Sequence, residues 1–148
     1  EGLSALKRAN CVIINGEKNT DIEKRILSHN KEIKIFYTKY KAQNIDEFRN
    51  KKVIAFAGIG SPDSFFDLLK NNNIDILEKI SFPDHYNYSD KELENLINKA
   101  KENNTILLTT EKDYLRIEEN YKKNINCLKI VVEIENRNQF IEEIKKVI

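Results

Sequence analysis

Val53-Ile54-Ala55-Phe56-Ala57-Gly58-Ile59-Gly60-Ser61-Pro62 runs from an unbroken apolar stretch through a glycine-containing turn into a helix start. Apolar residues in succession, rather than in alternation, suit a strand covered on both faces, as strands of a parallel sheet are. Ser61 followed by Pro62 reads as an N-cap with proline at the first helical position. A strand that turns at once into a helix is the opening of a β-α-β unit.

The same grammar extends in both directions. Val12–Ile14, Ile33–Tyr37, Ile74–Leu77, Ile106–Thr109 and Leu128–Val132 read as further strands. Asp21–Ser28, Ser64–Lys70, Lys91–Lys101 and Gln139–Val147 carry apolar residues at three- and four-residue spacing and read as helices. Ser89-Asp90-Lys91-Glu92 has the form of a capping box, and Thr110-Glu111-Lys112-Asp113 a related spacing. The alternation predicts an α/β fold, a mostly parallel sheet flanked by helices in an α/β/α sandwich. Lys39–Lys52 is polar and reads as a connection between structural units.

Composition bounds the function. The chain has 25 basic and 24 acidic residues in 148, a net charge of +1. That balance supplies no general field for nucleic acid or anionic lipid, and no nucleic-acid partner is expected. Cys11 and Cys127 stand alone in apolar runs, without C-x-x-C spacing. They are expected to be buried thiols in a reducing cytosol, not a zinc site or a disulfide. No apolar run approaches the roughly 18 residues of a membrane helix, and no signal-peptide pattern is present. The sequence opens at Glu1 and contains no methionine, so a piece of a longer or processed chain is expected.

In an open parallel sheet, ligands bind at the carboxyl ends of the strands. Three turns qualify. The first contains Gly58 and Gly60, two of the four glycines. Its amides could hold an anion at a helix start, but Asp63 puts a negative charge there. The turn matches neither the Walker nor the dinucleotide fingerprint. The second is Phe82-Pro83-Asp84-His85-Tyr86, where His85 could serve as acid, base or ligand and Asp84 is its neighbour. The third is Thr109-Thr110-Glu111-Lys112-Asp113, where Lys112 could meet a phosphate and Thr110 and Asp113 could cap a helix. Residue chemistry alone leaves a purely structural reading open for each turn. His29, at a surface helix end, reads as structural.

Taken in order and spacing, A-G-I-G-S-P-D-S-F-F (Ala57–Phe66), F-P-D-H-Y (Phe82–Tyr86) and T-T-E-K-D (Thr109–Asp113) resemble the C-terminal half of the tetraacyldisaccharide 4'-kinases, the lipid A kinases of Gram-negative bacteria. L-S-A-L-K-R-A (Leu3–Ala9) and V-I-I-N (Val12–Asn15) are similar to the stretch preceding that half. The resemblance implies a two-domain P-loop kinase. It transfers the γ-phosphate of ATP, with Mg²⁺, to the 4'-hydroxyl of a tetraacyldisaccharide 1-phosphate at the cytoplasmic face of the inner membrane. It also implies that the P-loop, the aspartate base and the membrane-engaging helix lie in an N-terminal domain outside this sequence. ATP and Mg²⁺ are then held mainly by that domain, and this chain alone is inactive. Residues 1–32 become the tail of the P-loop domain, 33–52 a strand-like linker, and 53–148 the C-terminal domain. The family's histidine falls on His85, implied to support the aspartate base. Gly58, Gly60, Lys112 and Asp113 match family motifs too, and Asp84 is a further candidate within F-P-D-H-Y.

Two other readings compete. One is a non-catalytic α/β module binding a nucleotide or another anion. The other is a metal-dependent hydrolase built on Asp84 and His85, for which further ligands are wanting.

Overall fold

The computed structural model describes residues 2–146. A 3₁₀ turn at Leu3–Arg8 precedes β1 (Cys11–Asn15), α1 (Thr20–His29) and β2 (Lys34–Ala42). A second 3₁₀ turn at Ile45–Phe48 leads to β3 (Lys52–Ala57), α2 (Pro62–Asn71), β4 (Asp75–Ser81), α3 (Asp90–Glu102) and β5 (Ile106–Thr110). Then come the short helices α4 (Glu111–Tyr114) and α5 (Glu119–Lys122), β6 (Asn126–Leu128), β7 (Ile130–Ile134) and α6 (Arg137–Lys145). Val147, the expected end of the last helix, lies outside the described residues.

The chain divides into two compact units, one within Glu1–Lys41 and Val132–Ile148, the other Ala42–Val131. In the first unit the last residues group with the first, because β7 joins the sheet of β1 and β2, in the order β1-β2-β7. In that unit β1 and β2 pair in parallel, from Cys11 with Lys34 to Asn15 with Thr38. Asn19 caps α1 by accepting from the amides of Asp21 and Ile22. Phe140 of α6 meets Phe36 edge to face at 5.2 Å.

The second unit carries a parallel sheet in the order β4-β3-β5-β6. Val53 to Ala57 of β3 are all fully buried, which is why their run is unbroken. Alternate residues serve opposite layers. Val53, Ala55 and Ala57 pack with Phe65, Phe66 and Leu69 of α2 and with Phe48. Ile54 and Phe56 pack with Leu93, Leu96, Ile97 and Ala100 of α3. Each fully buried large apolar side chain contributes about 1.5–3 kcal/mol, so the unit carries the expected helix-sheet-helix core. Ser89 and Glu92 form the complete capping box that starts α3.

Three expectations need correction. β2 runs on to Ala42, through residues read as polar connection. Its charges are answered across the sheet: Lys41 meets Glu133 at 2.8 Å, and Lys39 meets Glu135 at 3.7 Å. Leu128–Val132 is not one strand. It breaks at Lys129 into β6 and β7, which belong to different sheets. Asn44 holds the break, donating to the Cys127 carbonyl at 3.0 Å and accepting from the Lys129 amide at 2.8 Å. Cys11 and Cys127 are free but half-buried. Partial burial and then the Glu111 carboxylate push the Cys127 thiol up. Among the described residues no helix is long and apolar enough to cross a membrane.

Candidate functional site

β3 lies between β4 and β5 and parallel to both. Their carboxyl ends therefore meet on one edge, and turns far apart in sequence become neighbours. The Phe82 amide donates to the Ala57 carbonyl at 2.8 Å, and the His85 amide to the Gly58 carbonyl at 3.1 Å. The turn after β5 completes the group, as the Gly58 amide donates to Asp113 Oδ2 at 3.0 Å.

His85 sits at the tip. Its φ is +58°, a left-handed conformation that histidine adopts more readily than most residues. The conformation is held by its amide, which donates to Asp84 Oδ1 at 2.9 Å as well as to Gly58. The imidazole is 70% exposed, with Nε2 at 3.7 Å from Asp84 Oδ2. That is ion-pair range and too long for a hydrogen bond. Lys112 Nζ reaches Asp84 Oδ1 at 3.4 Å. Gly60 lies against the same carboxylate, for a Cβ there would stand 3.3 Å from Asp84 Oδ2. Burial works against ionisation of Asp84, but the Lys112 ammonium and the His85 ring outweigh it and hold the carboxyl below its ordinary range. The structure thus brings Asp84, His85, Lys112 and Gly60 into one exposed group.

Aromatic residues brace the loop from beneath. Phe82 packs with Tyr86 at 4.9 Å, with Tyr88 at 5.1 Å and with Phe56 at 6.4 Å between ring centres. Tyr86 donates to Glu92 at 2.6 Å, tying the loop to the cap of α3. The Ser89 hydroxyl, then the Tyr86 hydroxyl, hold Glu92 below the usual carboxylate range.

Gly58 makes the convergence possible. A Cβ there would stand 2.8 Å from Tyr88 Oη, 3.1 Å from Tyr86 Cβ and 3.2 Å from the Pro83 carbonyl oxygen. Gly58→Ala is expected to cost about 1–3 kcal/mol through overpacking, measured as a lowered denaturation midpoint. Tyr88 Oη is buried and has no hydrogen-bond partner among the described residues. Tyr88→Phe should therefore relieve part of the Gly58→Ala loss.

Sequence reasoning missed what lies below. Thr110 caps α4, accepting from the Asp113 amide at 3.1 Å as its spacing suggested. The Asp113 side chain, however, is fully buried. It accepts from the Gly58 amide, from Thr110 Oγ1 at 2.7 Å and from Arg116 Nη2. The same Arg116 nitrogen donates to the Gly58 carbonyl at 3.0 Å. In the sequence Asp113 stood out only as a possible cap within Thr109–Asp113, and Arg116 not at all. Both polar groups of Gly58 are thus occupied, so its backbone shapes the turn and leaves no free amide for an anion. Ser61 stands at the N-cap of α2, but its hydroxyl pairs with that of Ser64 at 2.8 Å and caps no amide. His29 Nδ1 lies 2.9 Å from the Arg25 carbonyl at the exposed end of α1. Among the described residues no group of three or more His, Cys, Asp or Glu is placed to hold a metal ion. At Asp84 the neighbouring cation is an ammonium.

The family model described as tetraacyldisaccharide-1-P 4'-kinase matches residues 1–148. The tetraacyldisaccharide 4'-kinase of Pelagibacter ubique is 36% identical over 149 residues, spanning 99% of this chain and 48% of that protein. The one from Rickettsia akari is 44% identical over 105 residues, spanning 71% of this chain and 31% of that protein. The crystal structure of the "apo" form of LpxK from Aquifex aeolicus in complex with ATP aligns with a TM-score of 0.64 at 26% identity. The alignment spans 99% of this chain and 45% of that one. The chain therefore spans about half the length of the relatives it matches end to end. A match over its whole length, on a parallel sheet whose strand-end turns meet around one exposed histidine, makes this chain a member of the tetraacyldisaccharide-1-P 4'-kinase family.

Proposed function

We propose that this chain is the C-terminal part of a lipid A biosynthesis kinase that transfers the γ-phosphate of ATP to the 4'-hydroxyl of tetraacyldisaccharide 1-phosphate. The observation that carries the proposal is the exposed His85, held at a strand-end edge by turns whose residues match the family. The names of the relatives support the reaction, and the ATP complex of the Aquifex aeolicus protein supports the nucleotide.

Phosphoryl transfer depends on positioning and electrostatics, with a carboxylate orienting the attacking hydroxyl. In this reading the carboxylate belongs to an aspartate of an N-terminal P-loop domain, which also holds ATP. Mg²⁺, when bound by that domain, neutralises charge on the phosphates. The part of this chain is to present the His85 imidazole to the aspartate and so orient it. Asp84 sets the electrostatics around the ring. Lys112, half-exposed beside it, is placed to meet an anionic group of nucleotide or substrate. The whole enzyme works at the cytoplasmic face of the inner membrane, which it engages through its other half. The module reading, in which the Gly58–Ser61 turn binds an anion, loses ground because Asp113 occupies the Gly58 amide and Asp63 lies in the first turn of α2.

The test is transfer of label from radiolabelled ATP to tetraacyldisaccharide 1-phosphate. The full-length protein should yield a product labelled at the 4'-position, and this chain alone should yield none. Turnover by this chain alone would overturn the assignment of the nucleotide site to the other half.

A further inference from the structure

The catalytic reading uses only the tip of the site, and the buried pair beneath it is left over. Asp113 is fully buried, while the Arg116 side chain keeps 23% of its exposure. Between them they take both backbone polar groups of Gly58: Asp113 accepts from its amide and Arg116 donates to its carbonyl. That carbonyl also receives the amide of His85, at 3.1 Å. A chain of direct contacts therefore runs from a buried ion pair, through one glycine, to the backbone of the exposed histidine. The left-handed conformation of His85 costs of order 1 kcal/mol and persists only where its surroundings impose it. The Gly58 carbonyl is one of the two acceptors that impose it.

We infer that Arg116, locked by Asp113, is a positioning residue that sets the place of the His85 imidazole through the Gly58 carbonyl. The inference rests on the catalytic reading of His85 given above. Arginine suits the task for a geometric reason. Its planar head group is anchored at two nitrogens: Nη2 donates to both Asp113 and the Gly58 carbonyl, and Nε donates to the Lys112 carbonyl at 3.3 Å, which fixes the plane. A lysine there keeps the charge, but its single nitrogen cannot hold the Lys112 carbonyl while also reaching Asp113 and Gly58. The remaining guanidinium nitrogen, Nη1, is buried without a hydrogen-bond partner among the described residues.

A double-mutant cycle in the full-length kinase tests this. Arg116→Lys should lower kcat by about tenfold to a hundredfold, the range for a misplaced catalytic group. KM for ATP should move by less than about twofold, since only the transition state loses an interaction. In a His85→Asn background, Arg116→Lys should lower kcat no further, because the group it positions is gone. Leu107→Ala, in the core of the same unit and outside the site, serves as the stability control. Assayed below its melting temperature it should keep its kcat.

Three results would overturn the inference. Arg116→Lys could leave kcat unchanged, lower it equally with and without His85, or lower it no more than a Leu107→Ala enzyme of the same melting temperature. Failure of the underlying reading is separable. It appears in the His85→Asn enzyme alone, as an unchanged kcat, before Arg116 is touched.

Discussion

Replacing Asp113 by alanine is expected to destabilise the Ala42–Val131 unit by about 3 kcal/mol, the low end for breaking a buried ion pair. The low end applies because Arg116 keeps some access to water, so its charge is not wholly stranded. Besides Arg116 Nη2, two further donors lose their acceptor: the Gly58 amide and Thr110 Oγ1. Asp113→Asn separates the two contributions. The amide oxygen can still accept from Gly58 and Thr110, but the charge that answers Arg116 is gone, and a smaller loss of about 1–2 kcal/mol is expected. Denaturant titration followed by circular dichroism measures both. An unchanged midpoint for Asp113→Ala would remove this carboxylate from the framework of the site. Equal losses in the two variants would assign the stability to the ion pair and not to the hydrogen bonds.

The second large effect is kinetic. In the full-length enzyme, removing the His85 imidazole should lower kcat by about a hundredfold, the lower range for a group assisting proton transfer. The choice of variant matters. His85 has a φ of +58°, so alanine would add backbone strain to the loss of the ring. Asparagine adopts this conformation readily and removes the imidazole with little strain. His85→Asn and His85→Ala should therefore share most of the loss in kcat, while His85→Ala alone loses stability. KM for ATP should change by less than about twofold, because His85 is read as acting on the hydroxyl side of the reaction. A His85→Asn enzyme with wild-type kcat would take His85 out of the mechanism.

Legibility followed the range of the interactions. The β3 run, the capping box at Ser89 and the cap at Thr110 were readable because each depends on neighbours in sequence. The far end of β2 was not, because Thr38–Ala42 is polar by composition. Its strand character comes from pairing with β7, which stands about ninety positions away and brings Glu133 and Glu135 opposite its lysines. The break at Lys129 was hidden for the same reason, since Asn44 makes it from across the fold. At the site, His85 and Asp84 were visible as adjacent polar residues on a loop. Arg116 was not, because its partners are a backbone carbonyl 58 residues earlier and a carboxylate that reads locally as a cap.

The sequence by itself determined the element types and the covered strand at the centre of the second unit. It also determined the three turns and the family to which their spacing belongs. Those follow from periodicity, capping and glycine placement, all written within a few residues. Only the tertiary structure decided what the turn after β3 is for. The stretch that opens with Val53 ends at a glycine whose amide and carbonyl are both occupied, and that occupancy comes from α4 and its C-terminal flank and from the His85 loop. A parallel sheet gathers strand ends from distant parts of the chain onto one edge. Hydrogen bonds made at that edge therefore leave no periodic trace in the sequence.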